Sequence, residues 1–177
     1  MIQPKDKSVL VYRFSALGDI AMIIPVLRSF FKTYPDQKII FVSRNYVRPL
    51  FDEFDNLEFI EVDLNQDYNG LKGLIKLFKV LRKKNIKSIA DLHNVLRTKV
   101  LNFLFKLSLK KVQSIDKGRA DRKKLTRKKN KIFKPLTPIQ YKYCDVFRRL
   151  GFPVDLVNHE YPCLLYTSPS PRDSVVS

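Results

Sequence analysis

Ser8-Val-Leu-Val-Tyr12, then Arg13-Phe-Ser-Ala-Leu-Gly-Asp19, then Ile20-Ala-Met-Ile-Ile-Pro-Val-Leu27 is the stretch that decides the fold. The first segment is a short apolar run without alternation, as a strand buried on both faces of a parallel sheet reads. The second is a loop with one glycine. In the third and its continuation, Ile23, Val26, Leu27, Phe30 and Tyr34 recur at helical spacing. Pro25 fits only the first turn of that helix or a kink, and Pro35-Asp36 ends it. Strand, loop and helix in that order open a βαβ unit.

The same alternation continues outward. Lys38-Ile-Ile-Phe-Val-Ser43 reads as a second buried strand, and residues 47–54 as a short helix. Leu57-Glu-Phe-Ile-Glu-Val62 alternates apolar and acidic residues, which suits a strand with one wet face. Leu71, Leu74, Ile75, Phe78 and Leu81 form one stripe of an amphipathic helix over 71–84. Ser88-Ile-Ala-Asp-Leu92 is a fourth strand, residues 98–107 a helix, and Val112-Gln-Ser-Ile115 a fifth strand. A last helix over 137–150 stops at Gly151. The expected fold is α/β: a Rossmann-like, mostly parallel sheet flanked by helices, with right-handed crossovers.

Composition narrows the chemistry. The chain has 177 residues, enough for one ordinary domain, and a hydrophobic fraction of 45% that supplies a core. No apolar run approaches the roughly 18 residues of a membrane span. The start is polar and carries no signal-peptide pattern, so the expected compartment is the cytoplasm. Cys144 and Cys163 make neither a disulfide framework nor a metal spacing, and no metal site is expected. Lys and Arg number 34 against 17 acids, a formal net charge of +17. That excess fits partners bearing phosphate or carboxylate.

Ligands of open α/β sheets sit outside the carboxyl ends of the strands. Residues 13–19 therefore come first. They lack the three glycines of a dinucleotide fingerprint and the Gly-Lys-Ser/Thr of a P-loop, which disfavours a nucleotide-dependent oxidoreductase. Gly18 is expected to take a left-handed turn and to let a ligand approach the backbone. Asp19 is expected at the helix N-terminus, ionised at neutral pH with help from the helix dipole. Two roles are open to it: a cap accepting the orphan N–H groups, or a general base facing a substrate hydroxyl. Ser15 either donates to substrate or shapes the turn. Asp91-Leu-His-Asn94 closes the fourth strand on the same side. There His93 and Asn94 can contact an acceptor or simply satisfy the loop. Arg97 can meet a phosphate or carboxylate or stand as an ordinary surface charge.

Val9-Leu-Val-Tyr-Arg-Phe-Ser-Ala-Leu-Gly-Asp-Ile-Ala-Met-Ile-Ile-Pro-Val-Leu27 resembles the opening of the ADP-heptose:lipopolysaccharide heptosyltransferase family, glycosyltransferase family 9. The shared pattern is a strand, Arg/Lys-x-Ser-x-x-Gly-Asp, then a helix with an early proline and leucine. The likeness runs on through Tyr34-Pro35, the second strand and Asp91-Leu92, over roughly residues 8–162. It implies the N-terminal half of a GT-B fold: two Rossmann-like domains, the first receiving the acceptor and the second binding the sugar nucleotide. It implies an inverting, metal-independent transfer with the aspartate of the Gly-Asp pair, here Asp19, as base. It implies no cofactor, an ADP-sugar (ADP-heptose) donor, and an anionic lipopolysaccharide core acceptor. Work at the inner face of the bacterial inner membrane, with peripheral contact to anionic lipid, follows from that acceptor. The donor-binding motifs of the second domain have no counterpart in this sequence.

Residues 110–134 hold twelve Lys/Arg and two Asp. They read as a solvated basic loop or as an anion-binding edge that steers the acceptor and holds the protein near anionic lipid. A non-catalytic anion- or nucleic-acid-binding module is the alternative. Nucleic acid is disfavoured, because the segment lacks interleaved aromatics and no named nucleic-acid module is present. Residues 1–7 read as a tail, 8–152 as the acceptor-side domain, and 153–162, with His159, as the start of an interdomain linker. Pro169 and Pro171 alternate with serine, a composition for disorder. Residues 163–173 also resemble translated sequencing adaptor, so 163–177 is expected to be non-native and the natural chain to continue where they begin.

Overall fold

The computed structural model describes residues 7–127 and 135–156. The expected tail from 163, His159 and the end of the basic segment lie outside the described residues. Among the described residues five strands form one sheet: β1 (Ser8–Tyr12), β2 (Ile39–Ser43), β3 (Leu57–Glu61), β4 (Ile86–Asp91) and β5 (Lys111–Ser114). Their order is β3-β2-β1-β4-β5 and every pairing is parallel. The helices are α1 (Leu17–Ala21), α2 (Ile24–Thr33), α3 (Gly70–Arg82), α4 (Leu96–Leu107), α5 (Arg119–Thr126) and α6 (Ile139–Leu150), with a 3-10 segment over Asn45–Phe51. The α/β, Rossmann-like expectation holds.

The period of two along β1 divides the core. Val9 and Val11 face one layer, where α2 and α6 cover the sheet with Val26, Leu27, Phe30, Tyr143 and Phe147. Leu10 and Tyr12 face the other, where α3 and α4 contribute Leu74, Leu77, Phe78, Leu101 and Phe105. Phe30 is fully buried, and its ring meets Tyr34, Phe147 and Phe152 at centroid distances of 5.2, 5.1 and 5.6 Å. Burial on that scale is worth about 3–5 kcal/mol against alanine.

Four details depart from expectation. The single helix after β1 is two, because Pro25 enters the first turn of α2 without an N–H and divides it from α1. The short helix begins and ends earlier, at Asn45–Phe51, and is of the tighter 3-10 kind. Beyond the expected β5, the basic segment is not all loop, since α5 occupies part of it; the charge run masks the helix periodicity. Gly18 is right-handed inside α1, and a Cβ there would meet no heavy atom within 4 Å. Among the glycines, positive φ falls instead on Gly70, Gly118 and Gly151, the last ending α6 at φ 98° as expected.

Candidate functional site at the mouth of the sheet

Strands β1 and β4 are neighbours, yet their chain connections leave in opposite directions. This is the topological switch point where open sheets bind ligands. The loops after β1 and β4 meet here, and register decides what they bring. Tyr12 pairs with Asp91, and Asp91 with Ser114, so three polar side chains stand abreast across three strands.

Asp91 is fully buried and organises that row. Its Oδ1 accepts the backbone N–H groups of His93 (2.9 Å) and Asn94 (2.7 Å). Its Oδ2 accepts from the Asn102 amide (2.7 Å) and the Ser114 hydroxyl (3.3 Å). Asn102 in turn accepts the Tyr12 hydroxyl. Burial, reinforced by the Asp91 carboxylate, raises the Tyr12 pKa well above its ordinary value, so Tyr12 stays a donor. Asn94 adopts φ 47° and donates its amide to the Ile115 carbonyl at 2.8 Å. Asparagine tolerates that left-handed conformation through such local bonds. The β4–α4 loop is thus pinned from both ends. Thr98 Oγ1 accepts the Val95 N–H at 2.9 Å at the start of α4.

From this pinned loop His93 reaches Ser15: Nε2 lies 3.3 Å from the hydroxyl. Its ring stands edge-on to Phe14. Burial, then the positive charges of Arg13 and Lys117, push its pKa down to about 4. The imidazole is neutral at pH 7, and its buried Nδ1 has no hydrogen-bond partner among the described residues.

Across the mouth, Arg13 ion-pairs with Asp19 and donates to the Leu92 carbonyl. The Arg13 side chain is 7% exposed and that of Asp19 is 47% exposed. A buried guanidinium therefore grips a carboxylate that still meets solvent. Only Oδ2 is engaged; among the described residues Oδ1 has no hydrogen-bond partner. Tyr143 of α6 closes the base: its hydroxyl donates to the Asp19 carbonyl at 3.0 Å, and Arg13 lies 5.8 Å from its ring centre. Burial raises the Tyr143 pKa. Lys117, after β5, has its pKa lowered by burial and by Arg119 and Arg13, and it feels the opposite pull of Asp91 and Asp19. The rim is cationic.

The capping role considered for Asp19 is not what the structure displays. Ala16 is the N-cap of α1, Asp19 lies inside the first turn, and no side-chain cap bond forms. Of the candidates, Ser15 and His93 touch, and Gly18 and Asp19 follow Ser15 in the first turn of α1. Asn94 is spent on holding the loop. Arg97 is exposed at the second position of α4, and no hydrogen bond or ion pair joins it to the others. Sequence reasoning gave no role to Arg13, Asn102 or Tyr143, and reached Lys117 only as part of the basic segment. Asp91 did carry a signal, as the one acid in a largely buried strand; Tyr143 carried none. Among the described residues no group of three or more His, Cys, Asp or Glu could hold a metal.

No family profile matches the chain. Among curated proteins it is similar to the lipopolysaccharide core heptosyltransferase OpsX of Haemophilus influenzae, with 24% identity over 104 residues, 59% of this chain and 29% of that protein. Among solved structures it is similar to a glycosyl transferase family 9 protein from Veillonella parvula. That match has 22% identity and a TM-score of 0.60, and covers 89% of this chain and 45% of the other. The E. coli heptosyltransferase WaaC, solved with ADP-2-deoxy-2-fluoro heptose, matches with 15% identity and a TM-score of 0.61 over 87% of this chain and 51% of its own. The resemblance read from residues 9–27 is met in both sequence and fold. The chain spans under a third of the curated relative and about half of the solved ones.

Proposed function

We propose that this chain is the acceptor-side wall of a glycosyltransferase of the lipopolysaccharide-core type, which moves heptose or a related sugar from an ADP-sugar to an anionic core precursor. The observation that carries the reading is the half-exposed Asp19 carboxylate, held through Oδ2 by buried Arg13 at the switch point of a sheet shared with family 9 structures. In this reading the acceptor hydroxyl oxygen forms the bond to the anomeric carbon of the donor. The bond from that carbon to the diphosphate oxygen breaks, and its electron pair leaves with ADP. The hydroxyl proton passes to Asp19. A single displacement inverts the anomeric centre and needs no metal.

An ionised carboxylate is a weak base for a sugar hydroxyl, so proton transfer accompanies attack rather than preceding it. Arg13 fixes the carboxylate, which is where positioning contributes most. Ser15, beside neutral His93, supplies a hydroxyl facing the same mouth, and the cationic rim of Arg13, Lys117 and Arg119 favours phosphate or carboxylate on the acceptor. The reaction belongs in the cytoplasm, at the inner face of the bacterial inner membrane. In this reading the donor is held by a second domain of the full-length protein, and the isolated chain is inactive. The test is sugar release from ADP-heptose with a core acceptor, by the full-length protein and by this chain. Turnover by the first alone supports the reading. Turnover by the isolated chain, or by neither with any ADP-sugar, overturns it.

A further inference from the structure

Helices α3 and α4 pack side by side over the same face of the sheet. Their inner surfaces are ordinary core. Their outer surfaces are unusual in two ways at once. Leu71, Phe103 and Leu107 are more than 60% exposed, and Ile75, Val80 and Leu96 are also exposed. Between them stand Lys72, Lys76, Lys79 and Lys83, at the i, i+4, i+7, i+11 spacing of one helical stripe. With Ile75 and Val80 these lysines line a shallow hollow of about 270 Å³. Residues 70–84 contain six Lys or Arg and residues 95–109 three, and neither segment contains an acid. Lys72, Lys79 and Lys83 have no acidic partner among the described residues.

A solvated helix face ordinarily interleaves both signs of charge. Apolar side chains set among lysines alone, on a face rather than in a cleft, match an anionic bilayer surface: the apolar tips enter the headgroup region while the ammonium groups pair with lipid phosphate. Among the described residues no helix is long and apolar enough to cross a membrane, so any such contact through these helices lies on the surface. Helix α4 starts at the β4 loop that carries His93. The face therefore adjoins the mouth, and Leu96, at the first position of α4, marks the border.

We infer that the α3–α4 face is a docking surface for an anionic lipid bilayer. This is a different surface from the basic segment after β5. It would present the mouth to a lipid-linked acceptor, but it stands on its own observations, and its test reads binding alone.

The experiment is co-sedimentation of the full chain with vesicles of phosphatidylglycerol and phosphatidylethanolamine, against vesicles of phosphatidylcholine. The chain is expected to bind the first and not the second, with affinity falling as salt rises. Each lysine near an anionic surface contributes roughly a fivefold factor, so Lys72→Gln with Lys79→Gln weakens binding about 30-fold. Phe103→Ser with Leu107→Ser weakens it in high salt as well. All four side chains are exposed, so an unchanged urea midpoint shows that the variants fold. Equal binding to both vesicles, or variants that bind like the parent, overturns the inference. So does a concentration-dependent dimer abolished by Phe103→Ser, or vesicle binding lost to a competing single-stranded RNA. Sugar transfer to a detergent-dispersed acceptor is expected to be unchanged in these variants, so failure of docking and failure of the transfer reading give different results.

Discussion

Replacing Asp91 with alanine removes the acceptor of four hydrogen bonds: two from the backbone of His93 and Asn94, one from Asn102 and one from Ser114. The Asn102 amide keeps Ser114 Oγ at 3.1 Å, so it is only half orphaned. The two loop N–H groups belong to half-buried residues and recover part of their loss from water. An unsatisfied buried donor costs about 1–3 kcal/mol; with those discounts the variant loses about 3–4 kcal/mol. At a urea slope of about 2 kcal/mol per molar, the midpoint falls by about 1.5–2 M. Asp91→Asn keeps one carbonyl for the two N–H groups but sets an amide against the Asn102 amide. Rotation of Asn102 relieves that conflict, because the Tyr12 hydroxyl can accept as well as donate. The asparagine variant therefore falls between parent and alanine, by about 1–2 kcal/mol. Urea unfolding followed by circular dichroism reads both. An alanine midpoint within about 0.5 M of the parent, or an asparagine variant as damaged as alanine, would refute the role given to this network.

Arg13→Met leaves Asp19 without its grip. Because misplacement of a reacting group by about 1 Å can cost 100-fold, turnover by the full-length protein should fall about 10- to 100-fold, mainly in kcat; an unchanged kcat would remove Arg13 from the mechanism. His93 titrates near 4 in the folded chain and near 6.5 unfolded. The unfolded state therefore binds the extra proton between those values, and stability rises with pH across that window. At fixed temperature, lowering pH from 7 to 4.5 should cost about 1–2 kcal/mol from this residue, after discounting for solvent near a half-buried ring, and His93→Gln should flatten that part of the slope. Tyr143→Phe removes one bond to the Asp19 carbonyl. It should lower stability by about 1 kcal/mol and slow transfer less than Arg13→Met does; a larger loss than Arg13→Met would mean that Tyr143 touches substrate.

The order of strands and helices was legible because each element writes its period in apolar residues. Val9 and Val11 against Leu10 and Tyr12 divide the two core layers as a buried parallel strand must. The break between α1 and α2 was only half legible: Pro25 announced a kink or a first turn, but Leu17-Gly-Asp-Ile-Ala21 is too short and too polar to read as a helix. Helix α5 was hidden because lysine and arginine are good helix formers that leave no apolar stripe. At the site, the Asp19 loop was visible from local spacing, whereas its support was not. Arg13 looked like motif decoration until the fold buried it, and Tyr143 lies 124 residues from the carbonyl it holds. Those partners are set by strand register and by α6 packing back over β4 and β5, which no local pattern encodes.

The most direct test of the central claim is the rate of sugar transfer from ADP-heptose to a core acceptor by the full-length protein with Asp19→Asn. This change keeps the shape of the side chain and removes its basicity. With Asp19 as the base, kcat is expected to fall by at least about 100-fold, as for loss of a general base, while acceptor binding and the urea midpoint stay close to the parent. Turnover at the parental rate, with the fold equally intact, would contradict it and leave Asp19 as no more than the anchor of Arg13.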